Sequence, residues 1–328
     1  MKVSIALLGA TGTVGQKFIS LIHDHDLFEL KYIVASERNN GKLYKDAVAW
    51  RDESILPEYI ANMTLTDVHE IDCDYAISCL PADIANVWEP MLADKGIHII
   101  SNASSFRDHK DVPLVIPEIN RDHFQLVNRQ SSSGKIITNP NCATVFLALA
   151  LFPLIQLSPI EHLDVVTLQG ISGAGYPGVS AYDLLGNTIP NIGGEEDKLE
   201  KEALKIFGDQ LNGTTIHSHV NRVPVLQGHS IVLHVLFKNE VQVESVEQVF
   251  SEFNTKYGGL YKIHEDPFHP QPLRDLNPRD QRAHIGRIKQ GGSANRIGLV
   301  SMGHNLVRGA AGAALLNLEY FHKYMCSK

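Results

Sequence analysis

Gly9, Gly12 and Gly15 stand between a short aliphatic run, Val3–Leu8, and a segment, residues 16–22, whose apolar residues recur at helical spacing. No other feature constrains the fold as strongly. Glycines so placed permit a tight turn, close approach of backbone to a pyrophosphate and contact of helix on strand, while the helix N-terminus favours phosphate charge. An isolated GxxGxxG can be a plain turn with small packing residues. Here it joins a predicted strand to a predicted helix, so Gly9, Thr11, Gly12, Thr13, Val14 and Gly15 are read as a dinucleotide cradle. Further strands are expected at residues 30–35, 75–79 and 98–100, with a helix over 84–95, an alternation that predicts a parallel sheet with crossover helices. The second strand ends Val34-Ala35-Ser36 instead of in an acid. Ser36, with Arg38 and Lys42 following, favours a 2′-phosphate and hence NADP(H), whereas Glu37 is the residue an NAD enzyme would use.

The rest of the chain fits a second domain. With 328 residues, 44% of them apolar and 20% charged, and a mean hydropathy of -0.09, it can bury two cores; a disordered or membrane-embedded protein is excluded. A net charge of -8 supplies no basic field, so neither nucleic acid nor membrane is an expected partner. The greasiest stretch, residues 143–157, contains Thr144, Pro153 and Gln156 and falls short of the roughly 20 residues a span needs. The first apolar run has no small-residue cleavage site and reads as a strand, not a signal peptide, so a cytoplasmic protein is expected. After the polar break Ser131-Ser132-Ser133-Gly134, the segment Asn139-Pro140-Asn141-Cys142 opens an apolar helix over 144–154. Strands at 163–169 and 230–237, an acidic helix over 194–207 and a Pro-rich stretch at 269–278 follow. The fold class is therefore α/β: an N-terminal Rossmann-like parallel sheet, residues 1–138, with an inserted α+β domain, residues 139–305. A C-terminal amphipathic helix, within 306–328, returns to the first domain.

The four cysteines, Cys73, Cys79, Cys142 and Cys326, are too few and too irregularly spaced for a disulfide framework or a zinc site. Cys142 stands at the first turn of an apolar helix behind a rigid Asn-Pro segment, where helix dipole and free N–H groups favour thiolate. The other three read as small buried hydrophobes. A thiolate used with a nicotinamide cofactor implies aldehyde or acyl chemistry through a thioester. The Tyr-x-x-x-Lys pair of short-chain dehydrogenases occurs here only as Tyr324 and Lys328, a chance match. Acid/base work must come from one of 16 histidines. His229 stands out, because Arg222 to Gly228 reads as strand and turn, presenting a cation and an imidazole together. His217, His219, His264 and His269 follow no HExxH pattern, and no metal site is expected.

At this point the chain resembles the aspartate-β-semialdehyde dehydrogenases of the archaeal and fungal branch. The likeness runs through GATGTVGQ (9–16), NASSFR (102–107), DVPLVIPEIN (111–120), TNPNCATV (138–145), QGISGAGYPGVS (169–180), IPNIGGEEDKLEKE (189–202), NRVPVLQGH (221–229) and NLVRGAAGAALLNLE (305–319). It implies NADPH-dependent reduction of L-4-aspartyl phosphate to aspartate semialdehyde and phosphate, in lysine, methionine and threonine synthesis. By resemblance Cys142 is the nucleophile, His229 the acid/base and Gln169 the residue that orients the adduct. Arg222 matches a carboxylate clamp and Glu195 the partner of the substrate ammonium. Arg107, after Ser104 and Ser105, and Lys198 match the phosphate site, and Asn141 is a donor beside the nucleophile. Ser172, Gly173 and Gly175 match the loop beside the nicotinamide, and Asn305 its amide partner. Relatives often carry Ser or Thr after the nucleophile, where this chain has Ala143. A homodimer or homotetramer built through the second domain's sheet is implied. A related reductase acting on malonyl-CoA or N-acetylglutamyl phosphate, and a silent binding paralogue, are the alternatives. Glu195, Lys198 and Arg222 weigh for an aspartyl substrate, since an acylated amine needs no carboxylate partner.

Overall fold

The computed structural model describes residues 2–328, and the chain forms two compact units. The first comprises residues up to Pro117, Arg121–Pro140 and Ala310–Lys328; the second comprises Glu118–Asn120 and Asn141–Gly309. Five parallel strands build the first unit: β1 (Val3–Leu8), β2 (Phe28–Val34), β3 (Tyr75–Ser78), β4 (His98–Ser101) and β5 (Ile136–Thr138), in the order β2-β1-β3-β4-β5. Side chains alternate across this sheet, so Ile5 and Leu7 enter one core while Ala6 and Leu8 enter the other. Both faces are covered, as an all-parallel sheet requires. The helix Gly312–Cys326 packs with the first of these cores through Ala314, Leu318 and Phe321, and so the C-terminal segment does return to the Rossmann-like sheet. Its buried Asn317 donates to the Val115 carbonyl at 3.1 Å and to Asn139 at 2.5 Å.

The second unit is a six-stranded mixed sheet: β6 (Ile160–Gln169), β7 (Thr215–Arg222), β8 (His229–Phe237), β9 (Tyr261–Ile263), β10 (Ala283–Gln290) and β11 (Arg296–Gly303), ordered β7-β6-β8-β11-β10-β9. On this sheet lies the helix Cys142–Leu154, in which every residue from Ala143 to Leu154 is buried. It is hydrophobic all round, the pattern of a helix enclosed on all sides. Its backbone is stitched to the sheet where Ser301 donates to the Phe146 carbonyl (2.9 Å) and Tyr261 to the Leu149 carbonyl (2.8 Å). Among the described residues, no helix is long and apolar enough to cross a membrane.

Two sequence expectations change. The helices begin earlier than their apolar periodicity, at Thr13 directly after the glycine turn and at Cys142 behind the Asn141 cap. Cys326 is exposed, not buried, because it closes the last helix beyond Phe321, the final fully buried residue of that segment. Cys73 and Cys79 are half-buried rather than fully buried, and desolvation pushes both thiols up to about 12, away from thiolate at neutral pH.

Candidate active site

Within the second unit, strand register assembles the site. Gln169 on β6 pairs with Arg222 on β7 and with His229 on β8, and His229 pairs with Gly303 on β11. Arg222, Gln169 and His229 thus occupy one row across three adjacent strands, and cross-strand partners share a face. The Cys142 Sγ lies 3.1 Å from His229 Nε2. His229 is fully buried, and Gly170 N–H lies 3.1 Å from its Nδ1 but also 3.0 Å from the Gly228 carbonyl oxygen. We assign the proton to Nδ1, donating to the same carbonyl at 3.0 Å, which leaves a lone pair on Nε2 facing sulfur. Burial, reinforced by the charge of Arg222, lowers His229 to about 4; the Gly228 carbonyl and Glu195 oppose the shift. The imidazole is therefore neutral at pH 7, with Nε2 able to accept the thiol proton.

Cys142 owes its place to the cap of its helix. Asn141 accepts a hydrogen bond from Ala143 N–H (2.9 Å), a side-chain cap worth about 1 kcal/mol, and its own amide donates to Glu195 at 2.6 Å. Its backbone N–H donates to Glu202 at 2.5 Å. Glu195 and Glu202 are two turns apart on one face of the helix Glu195–Phe207, and both are buried. Glu202 was not singled out from the sequence; the signal was a carboxylate on the same helical stripe as Leu199, Ala203 and Ile206. The remaining Glu195 oxygen pairs with Lys198 at 2.9 Å, whose side chain is 36% exposed and can meet a ligand. Ala143, the departure from the family pattern, is fully buried.

Arg222 is buried and donates to the Gly170 carbonyl at 2.7 Å, which leaves most of its five N–H donors for a carboxylate. Burial pulls its ionisation down from the ordinary value, while Cys142 and Glu195 oppose that. Its backbone is fixed by paired hydrogen bonds with Ile189, at 2.9 and 3.0 Å. Asn305 clamps the adjoining turns: its oxygen accepts from Gly228 N–H at 2.7 Å and its nitrogen donates to Ser172 at 2.9 Å. Gly173 lies against Arg222 and His229, since a Cβ there would stand 2.8 Å from Arg222 Nη1 and 3.1 Å from His229 Nε2. Gly173→Ala is expected to lower kcat/KM about 10- to 100-fold by displacing those groups, with a smaller loss of stability. Steady-state kinetics together with thermal melting check this, and wild-type kinetics would remove the packing argument.

The first unit carries the nucleotide features. Gly9 has φ +76°, and a Cβ on it would meet the Cys79 carbonyl oxygen at 2.6 Å; a Cβ on Gly15 would meet the Gly9 carbonyl oxygen at 2.5 Å. Only glycine fits either position. The helix Thr13–Ile22 begins at Gly12 with no side-chain cap and no acid in its first turn, which leaves its N-terminus open to an anion. Gln16, not foreseen as a site residue, braces this turn by donating to the Thr11 carbonyl at 2.9 Å. The turn receives the end of β2, because Gly9 and Ala10 donate to the Val34 carbonyl at 2.9 and 3.0 Å. Ser36 and Arg38 follow and are exposed, as is Glu37. These features fit a dinucleotide. Arg107 also belongs to this unit, buried, with its guanidinium donating to the Asn102 carbonyl at 2.7 Å.

A glycine turn that fits a dinucleotide in one unit and a cysteine–histidine pair in the other are the parts that a thiol-dependent dehydrogenase requires. Residues 4–127 match the model of the semialdehyde dehydrogenase NAD binding domain, and residues 151–308 that of the semialdehyde dehydrogenase dimerisation domain. The aspartate-semialdehyde dehydrogenase of Archaeoglobus fulgidus is 40% identical over 98% of this chain and 99% of its own, and that of Saccharomyces cerevisiae 38% identical over 95% and 96%. The crystal structure of aspartate semialdehyde dehydrogenase with NADP from Candida albicans is similar at a TM-score of 0.87, with 34% identity over 98% of this chain and 99% of that one. The chain belongs to the aspartate-semialdehyde dehydrogenase family.

Proposed function

We propose that this chain reduces L-4-aspartyl phosphate to L-aspartate 4-semialdehyde with NADPH and releases phosphate, reversibly, in amino-acid biosynthesis. The observation that carries the reading is the Cys142 Sγ to His229 Nε2 contact of 3.1 Å, in a chain of this family. His229 takes the thiol proton as sulfur attacks the acyl carbon; phosphate leaves, and the aspartyl group is held as a thioester on Cys142. When bound, NADPH supplies the hydride that reduces this thioester. His229 returns its proton to the oxygen of the thiohemiacetal and takes it back as the aldehyde leaves sulfur. Gln169, in the row between Arg222 and His229, orients the adduct through its side-chain amide.

Arg222 is the clamp for the substrate carboxylate and Glu195 the partner of its ammonium, with Asn141 donating beside the nucleophile. Lys198 is a phosphate ligand; Arg107 has the same role on the strength of the family resemblance. The glycine turn of residues 9–15 holds the pyrophosphate, Ser36 and Arg38 the 2′-phosphate, and Ser172, Gly173 and Asn305 frame the nicotinamide end. In this division the first unit is the NADP-binding domain and the second the catalytic and dimerisation domain. The protein acts in the cytoplasm as a homodimer or homotetramer. That assembly is supported by the dimerisation-domain match and by Val166 and Leu168, 38% and 37% exposed on β6. A monomer in sedimentation equilibrium would contradict it.

Phosphate-dependent reduction of NADP by aspartate semialdehyde, compared with malonate semialdehyde plus CoA, tests the reaction. NADPH is expected from the aspartyl substrate only, and no NADPH from it sinks the reading. In the same assay Arg38→Ala is expected to weaken NADP selectively, by about 10-fold for one lost charge-assisted contact of 1.5 kcal/mol or so. An unchanged preference for NADP over NAD would remove the 2′-phosphate contact.

A further inference from the structure

The sequence led us to expect no metal site among the histidines, yet the fold gathers three ligating side chains that the proposed reaction does not use. His264, His269 and Asp275 each place one ligating atom within 4.8 Å of the others, and all three are half-buried. The His264 and His269 rings are nearly parallel, 9° apart, with centroids at 5.7 Å. His269 Nδ1 lies 2.8 Å from Asp275 Oδ2, close to the ligand–ligand edge of roughly 3.3 Å in a tetrahedral zinc site with bonds of about 2.0 Å.

A relay fixes the third ligand. Asp280 is fully ion-paired with Arg282 and accepts from His284 Nε2 at 3.0 Å, so the proton of that buried imidazole sits on Nε2. We assign the neutral form to His284, so that its Nδ1 accepts from His264 Nε2 at 3.0 Å. His264 is thereby held as the tautomer whose lone pair is on Nδ1. A carboxylate and a histidine behind a ligating histidine are the arrangement that orients metal-bound imidazoles.

We propose that His264, His269 and Asp275 form a site for a borderline divalent transition metal of the zinc class. Two imidazoles and one carboxylate suit zinc or cobalt, whereas magnesium and calcium take oxygen donors. The metal replaces the proton between His269 Nδ1 and Asp275, and the imidazole proton shifts to Nε2, on the side of Asp266 at 3.9 Å. The site has a mechanical consequence for the loop that carries it. Asp275 ends the short turn Pro272–Asp275, and Pro272 and Leu276 stand 3.0 and 2.7 Å from where a Cβ on Gly228 would be. Gly228 precedes His229, so a metal here clamps the loop that backs the catalytic base.

The test is cobalt titration of chelator-treated full-length protein, followed by absorption and by melting temperature. Wild type and Cys142→Ser are both expected to bind one equivalent with a nitrogen–oxygen spectrum lacking thiolate charge transfer, and to melt higher when loaded. His269→Gln and Asp275→Asn are each expected to weaken binding at least about tenfold while melting like wild type in chelator. If one variant fails to fold, the other decides. No saturable binding, or binding that survives in both variants and is lost in Cys142→Ser, overturns the site. Magnesium binding as tight as cobalt binding would overturn the metal class. Activity enters none of these readouts, so a failed reaction assay leaves this result standing.

Discussion

Cys142→Ser is expected to abolish turnover, to below about a thousandth of wild type, with the fold intact. Serine differs from cysteine by one atom, and the frame that holds residue 142 does not depend on sulfur: the Asn141 cap, the Glu202 anchor and the buried helix behind it all persist. What changes is the chemistry. A hydroxyl is far less acidic than a thiol, and the imidazole at hydrogen-bond distance is lowered to about 4, too weak to deprotonate it. Rate measured beside a melting curve checks both halves. Substantial turnover in the serine variant would mean that the acyl group is carried elsewhere.

The second large effect falls on His229. His229→Asn is expected to lower kcat by about 10²- to 10⁴-fold, with a smaller change in KM. The wild-type pH profile carries a signature of its environment. Because the folded-state value is depressed, the neutral, base-competent form is lost only as pH falls through about 4, not through the 6.5 of a free imidazole. An acid limb in kcat/KM from this residue therefore lies well below 6.5, and Arg222→Ala, which removes one cause of the depression, moves it upward. A limb at 6.5 in both proteins would contradict the burial of the base.

Much of this was legible in the chain because the informative features are contiguous. The glycine turn needs residues three apart, and the nucleophile announces itself by a cap and an apolar helix in one stretch. The carboxylate anchor at Glu202 was not legible, because its partner is a backbone N–H 61 residues away and a carboxylate in a helix reads as solvated until packing buries it. Asn305 was named through the family resemblance alone, because the groups its amide holds, Gly228 and Ser172, lie 77 and 133 residues distant. Strands β5, β9, β10 and β11 were missed as elements, and β7 was seen only at its last residue, Arg222; these strands are short or interrupted by Gly, polar and charged residues, and their assignment depends on sheet partners. The histidines at 264, 269 and 284 carry no spacing motif, since a strand, a turn and another strand bring them together.

The proposed reaction passes through a covalent aspartyl group on one sulfur, that of Cys142. Wild-type protein mixed with L-4-aspartyl phosphate in the absence of NADPH, quenched in acid and digested, is expected to carry one aspartyl group on the peptide containing Cys142, discharged when NADPH is added before the quench. Label on Cys73, Cys79 or Cys326 instead, or an unmodified Cys142 peptide under turnover concentrations of substrate, would contradict the account.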